Sequence, residues 1–137
     1  VSSHADEKIC ICVIDANKFK KINDTYGHAE GDLALKTISS ILQAGCSRSE
    51  WFLSRFGGDE FVITGINKSV KEITQLRKNI FDRLTEENNS SKKQYKLGLS
   101  FGHAEGDIIN LRSIEGILKI ADEDMYLNKL KSRSEKD

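Results

Sequence analysis

Apolar positions divide the chain into strand-like and helix-like stretches. Lys8–Asp15 (KICICVID) is apolar and β-branched almost throughout, which predicts a strand covered on both faces. Lys18–Gly27 (KFKKINDTYG) predicts a short helix stopped by its glycine. From Ala29 to Ala44, Leu33, Leu35, Ile38, Ile41 and Leu42 recur at helical spacing, and Gly45 predicts the end of that helix. Trp51–Phe56 and Glu60–Thr64 are strand-like runs separated by Gly57, Gly58 and Asp59. Paired glycines there predict a hairpin, because primed turns need positive φ. Ser69–Asn88 predicts an amphipathic helix with Val70, Ile73, Leu76, Ile80, Phe81 and Leu84 inward. A polar connection (Asn88–Lys93), a strand (Tyr95–His103) and a last long helix (Ser113–Ser132) follow. The order β-α-α-β-β-α-β-α, without a linker, predicts one α/β domain over residues 1–137.

Composition narrows the function. Lys and Arg number 21 and Asp and Glu 21, so there is no global field to attract a polyanion, and a nucleic-acid coating role is not expected. The longest apolar run, Ile9–Ile14, falls far short of the roughly 20 residues that span a bilayer, and no membrane contact by this domain is expected. No basic-then-apolar leader marks the start, so a cytoplasmic domain is expected, within a parent chain that membrane anchoring elsewhere would still allow. Cys10, Cys12 and Cys46 lack zinc spacing. The first two share one face of a strand and read as small core residues, in keeping with a reducing compartment.

GHAEGD occurs at 27–32 and again at 102–107, but the first copy opens a helix while the second follows a strand into a loop. The flanks differ, so the repeat reads as coincidence. No Walker loop, GxGxxG, HExxH or GxSxG is present. Carboxylates at strand ends remain. Asp15 ends the first strand and Asp59-Glu60 follows the hairpin tip, so neighbouring strands would bring Asp15 and Asp59 to one sheet edge. Two hard carboxylates with spare coordination positions suit Mg²⁺ on a polyphosphate. Lys18, Lys20, Lys21, Lys129, Lys131 and Arg133 are cations for its oxygens, although acidic loop ends and surface lysines are also common in solvated loops.

Asp15–Asp32 reads DANKFKKINDTYGHAEGD and Arg55–Phe61 reads RFGGDEF. With Ser100-Phe101-Gly102 and with Ala121-Asp122, Met125-Tyr126, Lys129 and Arg133, these strings closely resemble the GGDEF family, the diguanylate cyclases that condense two GTP into cyclic di-GMP. The resemblance covers nearly the whole chain in the expected order. It implies a nucleotidyl-cyclase-like α+β fold, with a central, mostly antiparallel sheet flanked by helices. It also implies two Mg²⁺ (or Mn²⁺) ions per active site, held by Asp15, the Ala16 carbonyl and Asp59. Asp59 is further implicated in activating the attacking hydroxyl, with Glu60 in support. Asn23 and Asp32 match the pair on the guanine edge, and Asp32 argues against the branch that accepts ATP with Ser there. Phe19 and Lys20 match the phosphate loop, and Lys129 and Arg133 the clamp on the terminal phosphates. Tyr26 and Phe61 read as core. Turnover would need an antiparallel homodimer, controlled by a sensory or regulatory domain outside this chain. The alternative is a GTP-binding regulatory module without turnover.

Four features depart from the family pattern. Asn17 stands where Asp is often found, and Ser132 where Gly usually precedes the clamp arginine. In the inhibitory RxxD stretch, Arg48-Ser49-Glu50-Trp51 keeps Arg48 but has Trp51 in place of Asp, which predicts weak or absent product feedback. The DxLTGLxNR-like segment usual before the first strand is missing, which reads as a fragment or a divergent start.

Overall fold

A computed structural model describes residues 7–46 and 50–136, with side chains as far as Lys131. Strand β1 (Lys8–Ala16) leads into helices α1 (Phe19–Tyr26) and α2 (His28–Cys46). Strands β2 (Phe52–Arg55) and β3 (Glu60–Ile66), helix α3 (Val70–Ser90), strand β4 (Leu99–Asp107) and helix α4 (Leu111–Lys136) follow. The strands form one sheet in the order β2-β3-β1-β4, each neighbouring pair antiparallel, which is the α+β arrangement expected. No helix among the described residues is long and apolar enough to cross a membrane.

β1 lacks alternation because both its faces are covered. Cys10, Cys12, Ile14 and Ala16 join the larger core with Ile38, Leu42 and Ile80 of α2 and α3. Ile9, Ile11 and Val13 point the other way, into a smaller core with Val62 and with Ile117, Ala121 and Met125 of α4. The Cys10 and Cys12 Sγ atoms, 3.9 Å apart and buried, are the small core pair their spacing predicts. Phe61 is buried as expected.

Several boundaries differ from the sequence expectation. Helix α2 runs through Gly45 instead of ending there, because that glycine serves packing. A Cβ at Gly45 would lie 2.9 Å from Ile80 Cγ1, so its absence lets α2 and α3 approach. The hairpin between β2 and β3 is present, but neither Gly57 nor Gly58 has positive φ. Main-chain bonds from Phe56 N–H and Gly57 N–H to Glu60 O close it, and the Arg55 guanidinium donates to Gly57 O (3.1 Å) and Gly58 O (2.7 Å). β4 begins at Leu99, not Tyr95, because the Asn88 side chain holds Leu97 at both its N–H and its C=O, each at 2.8 Å, against the end of α3. It continues to Asp107 by pairing with Lys8, so the second GHAEGD lies inside a strand. Ser69 and Glu72 form a capping box that starts α3, which leaves Val70 exposed rather than inward.

Tyr26 is also not core. It is 39 % exposed, and its ring packs 5.0 Å from that of Tyr95. The Tyr95 hydroxyl donates to Glu30 Oε1 at 2.8 Å, and Lys93 Nζ meets the same oxygen at 2.6 Å. Burial first, then the Glu30 carboxylate, pushes the Tyr95 phenol up to about 12, so it remains a donor. Lys93, then Tyr95, holds the Glu30 carboxyl below its ordinary value. A carboxyl lowered on folding contributes stability above its unfolded pKa and loses it as pH falls through the folded value. Tyr95→Phe should therefore lower Tm at neutral pH, with the deficit narrowing below about pH 4. Thermal melts across pH check this, and a deficit that stays constant down to acid pH would contradict it.

Candidate active site

The antiparallel register of β1 and β3 sets Asp15 opposite Glu60. One residue on, Ala16 N–H donates to Asp59 O at 3.0 Å, which ties the residue after the hairpin tip to the end of β1. Asp15 and Asp59 thus meet at one sheet edge, as the strand-end carboxylates predict. Burial, then the Asp15 carboxylate, raises the Asp59 carboxyl above its ordinary value. Burial, then Asp122 of α4, Asp15 and Asp59, raises Glu60 likewise. Lys129 of α4 reaches into this acidic corner, with Nζ 2.5 Å from Asp15 Oδ2. Such a cluster favours additional positive charge.

Asp15, Asp59 and the Ala16 carbonyl are hard oxygen donors suited to a divalent cation. Among the described residues, no three His, Cys, Asp or Glu side chains converge as a cage. The donor set therefore fits an ion that completes its shell with phosphate oxygens and water, the usual habit of Mg²⁺ with nucleotides. Asn17 does not compete for that role. Its Oδ1 accepts the Ser100 hydroxyl at 2.6 Å and its N–H bonds Gly98 O.

A second polar feature lies on α1 and α2. Asn23 Oδ1 is buried and has no hydrogen-bond partner among the described residues. It is seated against Gly31, where a Cβ would fall 1.6 Å from that oxygen, so any larger residue would displace the Asn23 side chain. Asp32, next in sequence, is exposed. An orphan amide oxygen and a neighbouring carboxylate are acceptors for a ligand with N–H groups, which guanine offers at N1 and its 2-amino group.

Between these features, Lys18 adopts φ 58 at the corner from β1 into α1 and caps nothing with its side chain. The left-handed conformation of a non-glycine residue is a strained one, often kept for function. It aligns a helix start whose first-turn N–H groups suit phosphate oxygens. Lys20 is exposed there, while the Phe19 ring packs on the larger core and leaves only main chain to the site. The Arg133 side chain and Arg48 lie outside the described residues. Trp51 is buried, its ring 2.7 Å from where a Gly65 Cβ would sit and with Lys68 Nζ 4.9 Å above it, and Glu50 is exposed.

Sequence reasoning missed Arg55 as the brace of the hairpin and Asp122 as a neighbour of Glu60. It also missed Gly31 as the seat of Asn23, whose signal was a glycine within a helical pattern.

The family model described as "Diguanylate cyclase, GGDEF domain" matches residues 1–135. The chain is 31 % identical to diguanylate cyclase A of Treponema denticola over 134 residues, 97 % of this chain and 36 % of that protein. It is 34 % identical over 115 residues to the cyclic di-GMP phosphodiesterase PdeB of Shewanella oneidensis, 83 % of this chain and 13 % of that protein. Among solved structures, it is similar to the active GGEEF domain of a Vibrio cholerae diguanylate cyclase, with TM-score 0.75 and 27 % identity, over 90 % of this chain and 78 % of that one. The chain spans about a third of the length of the Treponema relative.

Proposed function

The chain belongs to the GGDEF domain family, and from that premise we propose that it is a diguanylate cyclase domain that joins two GTP into cyclic di-GMP. The observation that carries this reading is the Asp15–Asp59 pair, two partly buried carboxylates fixed side by side at the sheet edge with one lysine against them. In the reaction the 3′-oxygen of one GTP bonds to the α-phosphorus of the other as pyrophosphate leaves. The 3′-oxygen of the second then bonds to the α-phosphorus of the first, closing the ring as a second pyrophosphate leaves. Asp15, Asp59 and the Ala16 carbonyl would hold Mg²⁺ or Mn²⁺, two per site. Bound there, the ions lower the pKa of the attacking hydroxyl and offset charge growing on the leaving group.

This chain's own residues do the rest. Asn23 and Asp32 accept from the guanine edge and set specificity against adenine. The start of α1, Lys20, Lys129 and Arg133 orient the phosphates. Asp59 takes up the proton of the 3′-hydroxyl, and Glu60 supports the acidic edge. Each domain holds one GTP, so turnover requires two copies facing each other antiparallel, as a homodimer whose encounter a regulatory domain elsewhere would govern. With buried Trp51 in place of a carboxylate, product feedback at Arg48 is weak or absent.

A second reading, a domain that binds GTP and regulates a neighbour without turnover, draws support from the similarity to a phosphodiesterase. Concentrated protein incubated with Mg²⁺ and either GTP or ATP separates the two. Cyclic di-GMP should form from GTP, nothing from ATP, and added cyclic di-GMP should leave the rate unchanged. Bound GTP without product at concentrations that force pairing would establish the regulatory reading instead, and no GTP binding would overturn both.

A further inference from the structure

Among the described residues β4 is an edge strand, so one row of its main-chain N–H and C=O groups faces away from any described strand. Helix α4 supplies partners for two of them. Asp124 Oδ2 accepts the His103 N–H at 3.0 Å, and Asn128 Nδ2 donates to the Phe101 carbonyl at 2.7 Å. The two side chains are one helical turn apart and grip β4 on either side of Gly102. At Gly102 itself the helix main chain lies directly on the strand, since a Cβ would fall 2.1 Å from Met125 N and 2.6 Å from Ala121 O. Two polar grips flanking a close backbone contact fix the helix in both translation and rotation. The residue after Asn128 is Lys129, whose Nζ sits on Asp15.

We propose that Asp124 and Asn128 are positioning residues that lock α4 to the edge of β4 and thereby aim Lys129 at Asp15. The proposal rests on the cyclase reading for its catalytic consequence, but the juxtaposition of Lys129 and Asp15 is independent of it. A helix advances 1.5 Å and turns 100° per residue, so a slip of α4 by a fraction of a residue moves Lys129 by an ångström or more. A misplacement of about 1 Å costs roughly a hundredfold in a reaction that depends on held geometry. The chemistry of the grips has a direction. Position 124 must accept from an N–H, which Asn also does, whereas position 128 must donate to a carbonyl, which Asp does not.

The test is a double-mutant cycle between Asn128→Leu and Lys129→Ala with two readouts. The first is cyclic di-GMP formation from GTP. The second is binding of Mn²⁺ alone, without nucleotide, followed by electron paramagnetic resonance. Asn128→Leu should lower turnover about a hundredfold. It should also tighten Mn²⁺ binding severalfold, because Asp15 is released from its lysine. In the Lys129→Ala background it should change neither quantity further. Asp124→Ala should resemble Asn128→Leu, with Asp124→Asn restoring both readouts. Asn128→Asp, nearly isosteric, should behave as the leucine variant does and serves in its place if the leucine variant melts early. Additive losses in the cycle, or Mn²⁺ binding unchanged by both Asn128 variants, would overturn the proposal. If the wild-type chain makes no cyclic di-GMP, the cyclase reading fails, and coupling in Mn²⁺ binding still decides the role of Asn128.

Discussion

Asp59→Asn is expected to reduce cyclic di-GMP formation about a thousandfold, the scale on which losing one preorganised charge stabiliser is felt in an active site. The amide fills the same volume, so the hairpin has no reason to change. What holds residue 59 is its main-chain oxygen, which accepts from Ala16 N–H, and the variant keeps it. What disappears is one member of the acidic pair and its capacity to hold a cation or take up a proton. Thermal stability should move the other way. Burial and Asp15 raise the Asp59 carboxyl on folding. The folded state therefore binds that proton more readily than the unfolded state, and ionised Asp59 opposes folding as pH rises above about 4. Near neutral pH the variant should melt at the wild-type temperature or above it. Product assays and melts on the same sample check both halves. Activity retained within tenfold would remove Asp59 from the catalytic role, and a Tm several degrees lower would mean that its carboxylate is structural.

Gly102→Val should be the most damaging substitution to the fold. A Cβ there meets helix main chain at 2.1 Å, and main chain cannot rotate aside as a side chain can. Overpacking a filled core typically costs about 1–3 kcal/mol. Here α4 must also leave β4 and surrender the bonds of Asp124 and Asn128. A loss of about 3 kcal/mol or more is expected, equivalent to a fall in Tm of about 10 °C for a domain of this size. Gly58→Ala provides the contrast. Among the described residues nothing lies within 4 Å of its Cβ position and its φ is not positive, so its Tm should stay within about a degree or two of wild type. If Gly102→Val melted with Gly58→Ala, the close seating of α4 would be wrong.

The parts of this fold that were legible in the sequence are those with a repeating or local signal. Six consecutive apolar residues from Ile9 to Ile14 required a two-sided strand, and the two cores supply it. The pairing of β1 with β3 then brought together Asp15 and Asp59, which the sequence places at the ends of strand-like runs. Asn23 and Asp32 became candidates through the resemblance alone, since either residue by itself suits a helix end equally well.

What was not legible depends on distant partners. Gly27 and Gly45 look alike as helix stops, yet only Gly27 has positive φ (95°), while Gly45 answers to Ile80, thirty-five residues on. Tyr26 carries enough apolar area for a core, but its neighbour Tyr95 lies on a surface connection. Asn128 reads as an ordinary polar helix residue because its partner is a main-chain carbonyl, which no side-chain pattern announces. The ion pair between Lys129 and Asp15 likewise joins the last helix to the first strand.

The inequality of the two cores separates events that would otherwise coincide. The larger core binds α2 and α3 to one face of the sheet, while α4 is held on the other by a smaller apolar cluster together with the Asp124 and Asn128 bonds to β4. A sub-global fluctuation that peels α4 from β4 exposes only the lesser apolar surface and leaves the α2–α3 layer closed. Such an opening withdraws Lys129 while Asp15 and Asp59, on β1 and the hairpin, stay where they are. The free-energy cost of baring the acidic corner is then set locally, by α4, and not by the cooperative unfolding of the whole domain.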